Sequence, residues 1–173
     1  QMCIRDSVKK SRREGYRARS VYKLTELDDT EHLFRPGMNV ADLGSAPGSW
    51  TQIVRERLTD KNGELKGRII AMDILPMEPI DGVTFLQGDF REQEVADKLN
   101  EILGGDKLDV VISDMAPNLS GIAMVDANAS LLLNELALDF AVEHLKPEGV
   151  FVTKAFQGSG YSQFIENCKK HFV

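Results

Sequence analysis

Five short apolar runs alternate with helical stretches, and this alternation constrains the chain more than any other feature of its sequence. Met38–Leu43, Arg68–Ile74, Val83–Gln87, Leu108–Ser113 and Val150–Thr153 have the length and apolar character of strands. Apolar residues recur at helical spacing over Ser49–Leu58, Gln93–Leu103 and Ala127–Leu145 between them, and over Ser162–His171 after them. Ahead of the first strand, Val21, Leu24 and Leu27 predict a helix over Arg19–Leu27, with Ser20 as its cap. Pro36-Gly37, Lys61-Asn-Gly63 and Lys146-Pro-Glu-Gly149 mark the turns. Strands alternating with helices form parallel sheets joined by crossover helices, so the fold class is α/β, a doubly wound, mostly parallel sheet.

Sheets of this kind bind ligands beyond the carboxyl ends of their strands. The segment from Asp42 to Gly48, together with Asp73, Asp89, Asp114 and Lys154, falls at or just past those ends. In Asp42-Leu-Gly44-Ser-Ala-Pro-Gly48-Ser-Trp50 the glycines permit a tight turn and close backbone approach to a ligand. The helix after it offers free amides to an anionic group such as a carboxylate. The spacing is not G-x-G-x-x-G, which argues against a dinucleotide pyrophosphate and hence a nicotinamide dehydrogenase. Asp73 suits ribose hydroxyls, and Asp89 can accept from an adenine amino group. A single aspartate at such a place is more often a turn or helix cap. Four in register at one sheet edge favour a cofactor with amino acid, ribose and adenine parts.

The chain has 173 residues with 42% hydrophobic and 28% charged side chains, which fits one soluble domain. No apolar run approaches the ~20 residues that span a bilayer, and no secretory signal is visible at the N-terminus. Cys3 and Cys168 are too few and too far apart for a disulfide or zinc framework, which favours a reducing cytoplasm and no metal. The net charge of −6 is uneven. Residues 1–23 hold eight basic side chains against Asp6 and Glu14, a local +6, leaving −12 for the remainder. A basic arm on an acidic body suits a polyanion, and equally a solvated tail; it does not separate RNA from DNA.

Two further segments bear on the reaction. Asp114-Met-Ala-Pro-Asn118 lacks the aromatic that ends the corresponding motif of enzymes methylating exocyclic base nitrogens, which disfavours that chemistry. Lys154, directly after Val150-Phe-Val-Thr153, places an amine at the mouth of the site, although a lone strand-end lysine usually just reaches for solvent.

Taken with Arg17-Ala-Arg-Ser-Val-Tyr-Lys23-Leu, Asp42–Trp50, Ser113–Asn118 and Lys154-Ala-Phe156, the chain resembles the FtsJ/RrmJ (RlmE) family of ribosomal RNA 2′-O-ribose methyltransferases from about Val8 onward. The resemblance implies a Rossmann-like fold, S-adenosylmethionine as cofactor and a uridine ribose of 23S ribosomal RNA in the large subunit as substrate. It implies a Lys-Asp-Lys set at Lys23, Asp114 and Lys154, and cofactor contacts at Gly48, Trp50, Asp73, Asp89 and Asp114. Arg17 and Arg19, flanking the segment that leads to Lys23, are then expected to grip RNA phosphates.

A 2′-hydroxyl attacks poorly until a base takes its proton, so the enzyme aligns the groups and manages one proton. Lys154 is the expected base in its neutral form, Asp114 the group that orients it, and Lys23 the group that positions the ribose or its phosphate. An ordinary lysine titrates near ~10.4, so the site must favour the neutral amine or capture its small population. The family's fourth member, a glutamate on a later strand, has no match before Val173; Glu166 lies in the helical run after Gly160. The expectation is one cytoplasmic, monomeric domain lacking the family's last strands, with residues 1–18 as a basic arm and Gln1–Ser7 as a foreign leader. The alternatives are transfer RNA or an mRNA cap as substrate, or an inactive RNA- or cofactor-binding fragment.

Overall fold

The computed structural model describes residues 4–172. Five strands, β1 (Asn39–Leu43), β2 (Arg68–Asp73), β3 (Val83–Gln87), β4 (Leu108–Ser113) and β5 (Leu145–Thr153), form one sheet in the order β3-β2-β1-β4-β5. Every pairing is parallel. The helices are α1 (Ile4–Arg13), α2 (Val21–Glu31), α3 (Ser49–Leu58), α4 (Gln93–Leu103), α5 (Ala123–His144) and α6 (Tyr161–His171).

The sheet is covered on both faces because its central strands are apolar at consecutive positions, and successive side chains point to opposite sides. Val40, Ile69, Val110 and Ile112 pack against Val21 and Leu24 of α2 and Trp50, Ile53, Val54 and Leu58 of α3. Ala41, Leu43, Ile70, Met72 and Val111 meet Val95, Leu99 and Leu103 of α4 and Ala137, Phe140 and Ala141 of α5. Chain order reverses at β1, flanked by β2 and β4, and this is where a doubly wound sheet opens a crevice.

Three local expectations need correction. The basic arm is not a tail among the described residues: 4–13 form α1, and the chain then docks on its neighbours. Tyr22 donates to Glu14 at 2.7 Å, and the Lys10 amine lies 4.8 Å from the Tyr22 ring centroid. Residues 1–3 of the expected leader, including Cys3, lie outside the described residues. Ser20 does not cap α2; its hydroxyl instead meets that of Ser49 at 2.9 Å, joining the start of α2 to the start of α3. Strand β5 begins before Val150, at Leu145, which pairs with Leu108, and the Lys146–Gly149 turn lies inside it as an irregularity before Val110 pairs with Val150.

Helix α2 matters because it carries Lys23. It is held to α3 by an Arg57–Asp28 ion pair at 2.8 Å, with buried Asp28 also accepting from the Phe34 amide at 3.0 Å. No helix among the described residues is long and apolar enough to cross a membrane.

Candidate active site

The turn after β1 is built by backbone hydrogen bonds. The amides of Gly44 and Ser45 both donate to the Met72 carbonyl, at 2.8 and 3.0 Å, folding the chain over the end of β2. Gly44 sits at φ +76°, and a β-carbon there would lie 2.7 Å from the Met115 nitrogen and 2.8 Å from its α-carbon. Only glycine lets these two backbones approach so closely.

Asp73 holds the same turn from the side. Its Oδ2 accepts from the Ala46 amide and its Oδ1 from the Leu75 amide, both at 2.8 Å. A carboxylate has about four acceptor directions, so Asp73 retains capacity for ligand hydroxyls. Asp89 accepts from the Arg91 backbone at 2.9 Å and from its guanidinium at 2.6 Å. These bonds hold the Asp89 carboxyl below the usual carboxylate range.

The ladder continues past the strand ends and places the reacting residues. Asp114 donates its amide to Leu43 at 3.0 Å, and Lys154 donates its amide to Ser113 at 3.0 Å. Lys154 Nζ thereby stands 3.6 Å from Asp114 Oδ1. Burial pushes the Asp114 carboxyl up, opposed by the charges of Lys154 and then Lys23. Lys23 is exposed on α2, yet its charge reaches Asp114. The structure therefore brings together Asp114 and Lys154, which are separated by 40 positions in the chain, with the charge of Lys23 felt at the same carboxylate.

A cleft of about 360 Å³ lies beside this group, within the ~300–1,000 Å³ typical of small-molecule sites. Asp73, Asp89 and Asp114 line it, with Ile74, Leu75 and Met115 supplying apolar surface. Behind it, Asp42 is fully buried and accepts from the Thr51 hydroxyl at 2.6 Å, while its other oxygen has no hydrogen-bond partner. Burial pushes its carboxyl up to about 7, with nearby Asp114 and Asp73 adding to the rise.

Gly48 and Trp50 border the turn without lining the cleft. Trp50 is buried, and its indole donates to the Ser20 carbonyl at 3.0 Å. Arg17 makes contacts within the protein. Its guanidinium donates to the carbonyls of Pro47, Glu78 and Pro79 at 3.0, 2.7 and 3.2 Å. Arg17 thus clamps the glycine turn to the loop after β2, whereas Arg19 is exposed. That clamp was hidden in the sequence because its partners are 30 to 62 residues away. Among the described residues, no group of His, Cys, Asp or Glu is arranged to hold a metal.

A parallel doubly wound sheet, a glycine turn braced by an aspartate, and an amine–carboxylate pair at the cleft mouth define a Rossmann-like transferase. The family model of FtsJ-like methyltransferases matches residues 16–173. The chain belongs to this family and is a methyltransferase. It is 56% identical over 168 residues to ribosomal RNA large subunit methyltransferase E of Paracidovorax citrulli (strain AAC00-1), covering 95% of this chain and 77% of that protein. It is 53% identical over 173 residues to the protein of the same name in Cupriavidus necator, covering 95% and 78%. A solved Plasmodium falciparum structure described as a ribosomal RNA methyltransferase superposes with a TM-score of 0.78 at 33% identity, covering 90% of this chain and 86% of that one.

Proposed function

We propose that this methyltransferase uses S-adenosylmethionine to methylate a ribose 2′-hydroxyl, that of a uridine in 23S ribosomal RNA within the large ribosomal subunit. On this reading it acts as a monomer in the cytoplasm. The observation that carries the reaction type is the Lys154 amine 3.6 Å from Asp114, which lines the cleft.

The cleft fits the cofactor by charge and shape. Asp73, Asp89 and Asp114 line it, and such a cluster suits a cation better than a pyrophosphate. Asp73 has capacity for ribose hydroxyls, Asp89 would accept from an adenine amino group in exchange for part of its pairing with Arg91, and Ile74 and Leu75 offer apolar contact to a flat base. Gly48 and Trp50 act by shaping the turn. Bound S-adenosylmethionine supplies a methyl carbon made electrophilic by the adjoining sulfonium.

The protein's own residues then have separate tasks. Lys154, as the neutral amine, accepts the proton of the 2′-hydroxyl at Nζ. Asp114 orients that amine through their close approach. Lys23, on an exposed helical turn, positions the ribose or its phosphate. Arg19 and the basic side chains of α1 contact neighbouring phosphates.

The substrate reading is supported by the names of the relatives and the length over which they match. Methyl transfer measured side by side on large ribosomal subunits, free 23S ribosomal RNA and transfer RNA tests it. Activity on the ribosomal substrates is expected; activity confined to transfer RNA overturns it.

A further inference from the structure

The loop after β5 carries an aromatic side chain that the mechanism above leaves unused. Phe156 stands two residues beyond Lys154 and is 58% exposed, whereas Phe164, further along on α6, is buried to 1%. The Lys154 amine lies 5.6 Å from the Phe156 ring centroid. A large apolar ring left in solvent beside a working amine is poorly explained by packing.

The loop that presents the ring is anchored at both ends. Lys154 is hydrogen-bonded to β4 through its amide, and the Phe164 amide donates to Gly160 at 3.0 Å. Gly160 lies against the Leu131 side chain of α5, which a β-carbon there would meet. Between these anchors Phe156 borders a small groove of about 30 Å³ together with polar Gln157, Ser159 and Ser130. That groove is only about the size of a water molecule, so a flat ligand would rest on the exposed ring itself, with these polar side chains nearby.

A nucleobase is such a ligand. Bases splayed out of RNA stack on aromatic side chains and bond through their edges. Base and 2′-hydroxyl hang from adjacent ribose carbons, so a residue next to the group that accepts the hydroxyl proton has the base within reach. We propose that Phe156 is a stacking platform for a base of the RNA substrate, that of the target nucleotide or its immediate neighbour, and so holds the ribose at Lys154. This rests on the ribose-methylation reading above. Every base has a π-face, so the ring contributes affinity and alignment and does not select the base.

The test compares the unaltered chain with Phe156→Ala, Phe156→Leu and Phe156→Trp. The readouts are KM and kcat on large ribosomal subunits purified from cells lacking this methylation, and S-adenosylmethionine affinity by calorimetry. The Ala and Leu variants are expected to raise the RNA KM by roughly 5- to 150-fold, the range that base–aromatic stacking covers. The Trp variant should stay near the unaltered value, and cofactor affinity should be the same in all four. A Leu variant that matches the unaltered chain assigns the ring to mere apolar support of Lys154 and overturns the proposal. So does a Trp variant as damaged as Ala. If the unaltered chain binds cofactor yet transfers nothing to these subunits, the ribose-methylation reading itself fails, a result distinct from either of the others.

Discussion

Gly44→Ala separates what the glycine turn requires of the backbone from what it requires of space. Gly44 lies at φ +76°, where an alanine costs about 1–2 kcal/mol, offset by about 0.4–1 kcal/mol from the less flexible unfolded chain. The new methyl would also stand 2.7 Å from the Met115 nitrogen and 2.8 Å from its α-carbon. Those are main-chain atoms, so no rotamer change relieves the overlap, and overpacking of this kind adds about 1–3 kcal/mol. The total is about 1–5 kcal/mol, a large share of the ~5–15 kcal/mol that stabilises a typical protein. Gly63→Ala is the control: it shares the left-handed backbone, at φ +81°, but its added methyl meets nothing within 4 Å. Urea unfolding of both variants isolates the spatial part as the difference between them, expected at about 1–3 kcal/mol. Because Met115 is the residue after Asp114, calorimetry should also show weaker S-adenosylmethionine binding for Gly44→Ala alone. Equal destabilisation of the two variants would refute the close approach of the turn to Met115.

Other consequences are as direct. Lys154→Ala should lower methyl transfer by about 10²–10⁴-fold while leaving S-adenosylmethionine affinity nearly intact by calorimetry; unchanged transfer removes its role as base. Arg17→Ala should weaken cofactor binding by loosening the turn and leave the salt dependence of RNA binding unchanged, whereas Arg19→Ala should reduce that salt slope by about one phosphate contact. Filter binding across salt concentrations checks both, and a reduced slope for Arg17→Ala contradicts the clamp. Asp42 titrates at its ordinary 3.8 when unfolded and near 7 in the fold, so in that interval the folded chain holds more protons than the unfolded one. Its contribution therefore makes stability fall as pH rises through that window. Asp42→Asn should flatten the fall in urea midpoints measured across it, and an unchanged slope contradicts the shift.

The order of strands and helices was legible because the central strands are apolar at consecutive positions and end in aspartates, a pattern that only a sheet covered on both faces explains. The same logic placed Asp73, Asp89, Asp114 and Lys154 at one edge before any contact was known. Helix α1 was obscured by its charge: Lys and Arg dominate it, so it reads as a solvated tail until the Tyr22–Glu14 bond is seen to anchor the adjoining segment. The sequence shows only the second half of β5 because Pro147 and Gly149 signal a turn, and the sheet absorbs that turn as an irregularity. The role of Arg17 was hidden for a physical reason. An arginine in a basic arm has the same local signature whether it meets a phosphate or three backbone carbonyls, and those carbonyls come from distant loops. Lys23 was placed by resemblance alone, since nothing local to α2 reveals that its charge reaches Asp114.

The central claim is that the methyl group goes to a ribose oxygen. Large ribosomal subunits incubated with the chain and isotopically labelled S-adenosylmethionine, then digested to nucleosides and analysed by mass spectrometry, test it directly. The account predicts label in a 2′-O-methylnucleoside, with the methyl mass on the sugar fragment, and its loss when Lys154 is replaced by alanine. Label found on a base fragment contradicts it.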